Sequence, residues 1–332
     1  MKAAVIHGPH QLSVETVPDP ECGPDEVILK VHRSSICNAT DVHIWEGKFP
    51  PDVCPPYPHI LGHECCGEIV EVGQELRTEF QVGDRFGFWC KMTGAFGEYN
   101  AIKPHKLAVT KLSENVSYDE GSLLEIVAGT LRCVYDSGLR VGDNVLVLGQ
   151  GPTGIVLSQL ARLAGASKVS AVDLYENRLA KSKELGIDFV YNLTGKVFDK
   201  ALQELRNKIG VLDFVIDAMG NHRWKGGNTI NLALTLLRPH GRYVVFGHPT
   251  EDPPVNMRLL SNNDIIMRGF EPGWEKSREL IRFANQLIST GRVRVKELIT
   301  HHFTLHDLEK GLIQCRDHPD KTIKVIIDVV ES

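Results

Sequence analysis

The chain has 332 residues, 42% hydrophobic and 24% charged, with a formal net charge of −5. That length accommodates two domains with cores of their own, and mild acidity without a Lys/Arg-rich run argues against nucleic-acid binding. No basic-then-apolar leader opens the sequence and no apolar run is long enough for a bilayer, so a cytoplasmic protein without a membrane anchor is expected, its eight cysteines reduced.

Residues 1 to about 110 read as short strands punctuated by Gly and Pro, such as Ala3-Ala4-Val5-Ile6, 27–31 and 68–72. This is the pattern of an antiparallel barrel. Within it Cys37 follows a strand, and His63-Glu64 stands just before the strand at 68–72. Glu125, in Ser122-Leu123-Leu124-Glu125, closes this half. A thiolate, an imidazole and a carboxylate able to converge at a domain junction suit a zinc site with an open position. Taken singly, Cys37 reads as a buried thiol, His63 as a hydrogen-bonded structural histidine and Glu125 as an acid with apolar flanks.

From about 127 strands and helices alternate. Strands are expected at 145–148, 169–172, 188–191, 212–216, 243–246 and 265–268, with helices such as 175–185 and 228–237 between them. Six strands with interposed helices suggest an α/β fold with a doubly wound parallel sheet. The first strand runs into Gly149-Gln150-Gly151-Pro152-Thr153-Gly154, a G-x-G-x-x-G turn opening a helix. Gly149 allows the tight turn, Gly151 lets a pyrophosphate approach, and Gly154 lets helix and sheet pack closely. The helix start at Pro152-Thr153-Gly154 then faces the phosphates. Asp173 ends the next strand, where a carboxylate takes a ribose diol and repels a 2′-phosphate, which favours NAD over NADP. Arg178, one turn further on, either flanks the adenosine or is an exposed helix arginine. From about 270 the texture is mixed again, with a helix near 275–289 and strands near 300–304 and 322–327, read as a return to the first domain.

On Gly62-His63-Glu64 with Cys37 upstream, Gly83-Asp84-Arg85, Gly97-Glu98-Tyr99, Leu124-Glu125 and the glycine turn, the chain resembles the zinc-dependent medium-chain dehydrogenases of the alcohol, sorbitol and threonine dehydrogenase group. The resemblance covers essentially the whole chain. It implies a GroES-like antiparallel β-barrel catalytic domain over 1–126, a Rossmann domain over 127–269 and a return segment over 270–332. It also implies a homo-oligomer, dimer or tetramer. Cys37 and His63 would bind catalytic zinc, with Glu64 and Glu125 supplying carboxylates that alternate with water. Glutamate at 125, in place of a second cysteine, is closer to the polyol and threonine branch.

The sequence departs from this family twice. There is no C-x-x-C pair, and Cys90 stands alone between Arg85 and Gly97, so one catalytic zinc and no structural zinc are expected, with Cys90 a packed or lining thiol. In Cys37-Asn38-Ala39-Thr40-Asp41-Val42-His43 there is one residue more than in the family's C-G-[ST]-D-x-H. With the insertion directly after Cys37, Thr40 and His43 fall on the proton-relay positions; the alternative for His43 is a helix-surface histidine.

The activity implied is hydride transfer from an alcohol activated by zinc to NAD. The expected substrate is a secondary alcohol on a small polar molecule: a polyol, cyclitol, sugar-derived alcohol or amino alcohol. A harder ligand field from Glu125 and a proline-stiffened stretch (Pro50, Pro51, Pro55, Pro56 and Pro58) point that way, although the prolines equally suit a plain surface loop. Trp45, Phe49 and Trp89 either wall the substrate cleft or fill the barrel core. The rivals are a simple alcohol dehydrogenase, a zinc-free quinone or enoyl reductase, which would lack Cys37 and His63, and a non-catalytic NAD-binding protein of the same fold.

Overall fold

The computed structural model describes residues 1–50, 54–89, 92–220, 223–248, 252–269 and 277–330. The chain divides into two compact units, Met1–Gly129 with Gly273–Ser332, and Thr130–Pro272. The first run of elements is β1 (Lys2–Gly8), β2 (Gln11–Thr16), β3 (Val27–Ser35), α1 (Thr40–Glu46), β4 (His59–Ile60), β5 (Glu64–Val72), β6 (Arg85–Trp89), β7 (Tyr99–Ile102), β8 (Ala108–Lys111), α2 (Tyr118–Gly121) and α3 (Leu124–Asp136). An alternating run follows: β9 (Asn144–Leu148), α4 (Pro152–Leu163), β10 (Lys168–Asp173), α5 (Glu176–Glu184), β11 (Phe189–Asn192), α6 (Phe198–Ile209), β12 (Leu212–Asp217), α7 (Thr229–Leu236), β13 (Leu237–Val245), α8 (Met257–Asn262) and β14 (Ile266–Gly269). The chain closes with α9 (Ser277–Ser289), β15 (Ile299–Thr304), α10 (Leu308–Asp317) and β16 (Lys324–Asp328).

The first unit is built on two sheets. One is three-stranded, β2-β1-β4; the other runs β15-β16-β3-β5-β6-β8, with β7 also on β3. Its pairs are antiparallel except β15 and β16, which run parallel. A parallel pair needs a crossover, and α10 supplies it. β5 begins at Glu64, four residues before the alternating pattern becomes visible, because Cys65-Cys66-Gly67 pairs with β3 without a polar alternation of its own. The β3–β5 register sets Ser35 opposite Glu64, and β16 sets Ile326 opposite Ser35 on the other edge. The core takes Val27, Leu29 and Val31 from β3, Ile44 and Trp45 from α1, and Leu308 and Leu312 from α10. Each such fully buried aliphatic side chain contributes about 1.5–3 kcal/mol.

The second unit is one parallel sheet in the order β11-β10-β9-β12-β13-β14. Helices on both faces exclude water from its central strands, hence the unbroken Val145-Leu146-Val147-Leu148, each 0% exposed. The order reverses between β9 and β12, and in such sheets ligands bind beyond the carboxyl ends of the strands at this point. β13 starts at Leu237, six residues before the expected 243; its first pairing, Leu212 with Leu237, is offset from the continuous register that begins at Phe214 and Arg242. Arg242 Nη2 grips both oxygens of Asp143 at 2.7 and 2.8 Å, with both residues buried. Among the described residues no helix is long and apolar enough to cross a membrane.

Candidate functional site

Cys37 leaves β3 in a turn, and His63-Glu64 enters β5. The Cys37 Sγ, an imidazole nitrogen of His63 and a carboxylate oxygen of Glu64 lie within 4.8 Å of one another. His63 is 8% exposed and Glu64 1%. Asp41, in the first turn of α1, organises this trio. Its Oδ2 accepts the Cys37 backbone N–H at 2.8 Å. Its Oδ1 lies 3.2 Å from His63 Nδ1, an ion-pair distance though not aligned as a hydrogen bond. That leaves His63 Nε2 on the side of Glu64, 3.9 Å from Oε1.

Glu64 is held from behind. Lys324 Nζ from β16 donates to Oε2 at 2.6 Å and to the Ile36 carbonyl at 2.7 Å, and Ser35 Oγ donates to the same Oε2. Oε1 is buried without a hydrogen-bond partner. A buried carboxylate oxygen with no donor is costly. Beside a thiol and an imidazole it is the arrangement a cation completes, and sulfur, nitrogen and oxygen donors together suit zinc. Charges around the trio reinforce one another. Burial pushes the His63 imidazole down, yet Asp41 and then Cys37 outweigh it and hold its pKa well above the usual histidine value. Burial likewise works against the Lys324 ammonium, and the Glu64 carboxylate reverses the effect, raising its pKa.

Glu125, in the first turn of α3, stands near the trio but outside its 4.8 Å set. Burial, then the negative charge of Glu64, pushes its carboxyl up to about 7. Thr40 N–H points to Cys37 Sγ at 3.4 Å. Thr40 and His43 both lie on α1, three residues apart and so on one face. Between Cys37 and the helix, Ala39 is the N-cap, and Asn38 Nδ2 ties the turn to the Ile323 carbonyl at 3.0 Å. Trp45 is core, 2% exposed, with its ring edge-on to His10 at 4.6 Å and the Arg316 guanidinium 5.0 Å above it. Phe49 packs against the same core. Pro50, Pro56 and Pro58 are exposed. Pro51, Cys90 and the Trp89 side chain lie outside the described residues.

Three contributors escape a reading of the sequence. Asp41 looks like an ordinary first-turn acid, and only its place in Thr40-Asp41-Val42-His43 signals more. Lys324 reads as a lysine on a strand edge. Ser35 carries no signal until the β3–β5 register is known.

The second unit carries the glycine turn. Gly149 has φ +82°, a left-handed conformation. A Cβ on Gly154 would fall 1.9 Å from the Gly149 carbonyl oxygen, so helix and turn touch backbone to backbone there. Gly151 is the N-cap of α4, Pro152 opens the helix, and no side chain caps it. A Cβ on Gly151 would meet only Arg178 Nη1, at 3.8 Å. The cradle is therefore open where a phosphate would sit. Thr153 is half-buried in the first turn. Asp173 closes β10, 5% exposed. Its Oδ1 accepts the Leu174 and Tyr175 N–H groups at 2.7 and 2.9 Å, and Oδ2 accepts the Gln150 N–H at 2.5 Å. Arg178 is half-buried and lies over the Tyr175 ring at 4.9 Å.

Comparison with known proteins agrees with both halves. Residues 23–135 match the family model of the alcohol dehydrogenase GroES-like domain, and residues 152–286 that of the zinc-binding dehydrogenases. Sorbitol dehydrogenase of Ovis aries is 29% identical over 344 residues, covering 93% of this chain and 90% of that protein. The structure of 2R,3R-butanediol dehydrogenase from Bacillus subtilis superimposes with a TM-score of 0.84 at 24% identity, over 98% of this chain and 99% of that one. An alcohol dehydrogenase from E. coli CFT073 complexed with NADH gives a TM-score of 0.85 at 23% identity, over 99% of both chains. With the ligand trio in one unit and the glycine turn in the other, the chain belongs to the zinc-dependent medium-chain alcohol dehydrogenases, enzymes that work with zinc and a nicotinamide cofactor.

Proposed function

We propose that this protein oxidises a secondary alcohol on a small polar molecule, of the polyol or vicinal diol class, with NAD as acceptor and one zinc per chain. The observation that carries the reading is the Cys37–His63–Glu64 trio, with His63 and Glu64 buried and Glu64 Oε1 unpartnered. Cys37, His63 and Glu64 would hold the zinc, with Glu125 as an exchangeable fourth ligand. The substrate class follows the sorbitol and butanediol dehydrogenases it is similar to. Held by these residues, zinc would supply Lewis acidity toward an alcohol oxygen, and a nicotinamide bound at the glycine turn would serve as hydride acceptor.

The chain's own residues supply orientation and proton handling. Asp41 fixes the imidazole so that Nε2 faces the metal position. Lys324 and Ser35 occupy Glu64 Oε2 and turn Oε1 inward. Glu125, beside the metal position, would exchange with water or substrate and handle the proton released there. Thr40 and His43 carry the proton onward along one face of α1. Gly151 and the start of α4 hold the pyrophosphate, and Asp173 takes the adenosine ribose, where it repels a 2′-phosphate. The protein assembles as a homo-oligomer, a reading supported by β14, an edge strand with Ile266 61% exposed.

Two measurements test this reading. Elemental analysis should give one zinc per chain, lost in Cys37→Ser with His63→Ala; two zincs, or retention in that variant, would refute the site. Comparing kcat/KM for sorbitol, myo-inositol, threonine, 2,3-butanediol and 1-hexanol should favour a polar secondary alcohol, and a wide margin for 1-hexanol would overturn the substrate class.

A further inference from the structure

Gln150 fills the variable position between the first two glycines of the turn, yet it is 0% exposed. Its Oε1 lies 2.8 Å from Ser182 Oγ on α5 and 3.2 Å from Ser158 Oγ on α4. Its Nε2 donates to the Gly149 carbonyl at 2.8 Å, and its backbone N–H donates to Asp173 Oδ2 at 2.5 Å. Both serines are themselves 0% exposed. Each hydroxyl also lies 2.8 Å from a carbonyl one turn earlier on its own helix, Gly154 for Ser158 and Arg178 for Ser182. One residue therefore joins the glycine turn, α4 and α5 through side-chain bonds, and joins the turn to β10 through its backbone.

Filling space under the turn does not call for an amide. A buried amide costs free energy unless its groups are partnered, and an apolar side chain of the same length would fill the volume without that cost. What the amide adds is direction. Oε1 draws two helices to one point, and α5 carries Arg178, whose Nη1 stands over Gly151 where the cradle opens. We infer that Gln150 is a positioning residue for the dinucleotide, which sets α5 and Arg178 against the glycine turn and so sets cofactor affinity. This rests on the dinucleotide reading of the turn.

The test is NADH binding by fluorescence titration of the full-length protein, with steady-state kinetics and thermal melting of the same samples. The variants are Gln150→Met, which keeps length and loses the amide, Ser182→Ala, and both together. Gln150→Met should weaken NADH about tenfold and raise KM for NAD by a similar factor, with kcat within about twofold, the loss expected from one or two buried hydrogen bonds. Ser182→Ala should weaken NADH about threefold to fivefold, and the double variant should be no weaker than Gln150→Met, since without the amide the hydroxyl bonds only its own helix and no longer ties α5 to the turn. A folded Gln150→Met with wild-type NADH affinity and only a lower melting temperature overturns the inference. If that variant does not fold, wild-type affinity in Ser182→Ala overturns it. Failure of the wild-type protein to bind NADH would remove the dinucleotide reading and this inference together; binding by the wild type, unchanged in the variants, removes this inference alone.

Discussion

Glu64 and Glu125 share a neighbourhood and differ in what surrounds them. One oxygen of Glu64 is taken by Lys324 and Ser35, whereas Glu125 meets burial and the Glu64 charge, which drive its carboxyl up to about 7. A carboxylate pinned by an ammonium suits a fixed ligand; one that stands outside the close-set trio suits exchange. Glu125→Gln should therefore keep NADH affinity and folded stability while kcat falls by about 100-fold, the usual scale for a proton-handling group. Full kcat in the folded variant would reduce Glu125 to a structural acid. Asp173 is likewise set by what surrounds it. Three backbone N–H groups hold its carboxylate in place, so Asp173→Ser should narrow the ratio of NAD to NADP efficiency by about tenfold or more. A ratio left unchanged would show that Asp173 does not choose the cofactor. Cys37, His63 and Glu64, which the structure brings together, could be singled out in the sequence because their chemistry is local to short motifs. Ser35 and Lys324 could not, because each acts through a partner distant in sequence: Lys324 reaches across 288 positions to the Ile36 carbonyl; nor could Asp41, whose approach to His63 depends on how α1 and β5 meet.

At the scale of elements, the α4–turn contact is the tightest in the second unit's site. An alanine at 154 would put its Cβ 1.9 Å from a backbone oxygen. The substitution gains about 1 kcal/mol of helix propensity, but backbone cannot yield as a flexible side chain can, so the clash decides the sign. Gly154→Ala should lower the melting temperature by several degrees and weaken NADH binding by about 100-fold or more; a variant that melts and binds like wild type would show that the helix can slide away. The central parallel strands were readable because burial on both faces leaves a continuous apolar run, as in β9. β4, with two residues, and the first half of β5 were not. Their pairing comes from neighbouring strands and not from their own pattern. The start of β13 was hidden for a similar reason: Arg238, Pro239, His240 and Gly241 carry no strand pattern.

At the scale of the molecule, two units of different architecture depend on different long-range ties. In the second, the Arg242–Asp143 pair joins β13 to the segment before β9 across 99 residues. Removing one partner leaves a buried charge alone, so Arg242→Met should cost about 3–5 kcal/mol of unfolding free energy in urea titration, well beyond a surface pair. A change under about 1 kcal/mol would mean that Asp143 finds another partner. In the first, the metal neighbourhood is closed by Lys324, on the final strand to be described. That has a consequence for biosynthesis. A nascent chain emerges with Cys37, His63, Glu64 and Glu125 early, and the whole of the second unit follows before the ammonium that neutralises Glu64 leaves the ribosome. Until then the Glu64 carboxylate cannot be buried without a large desolvation penalty, and the pocket stays hydrated. The mature geometry around Glu64 thus forms only once β16 has been synthesised, and the unit begun first waits on a strand made after the second unit.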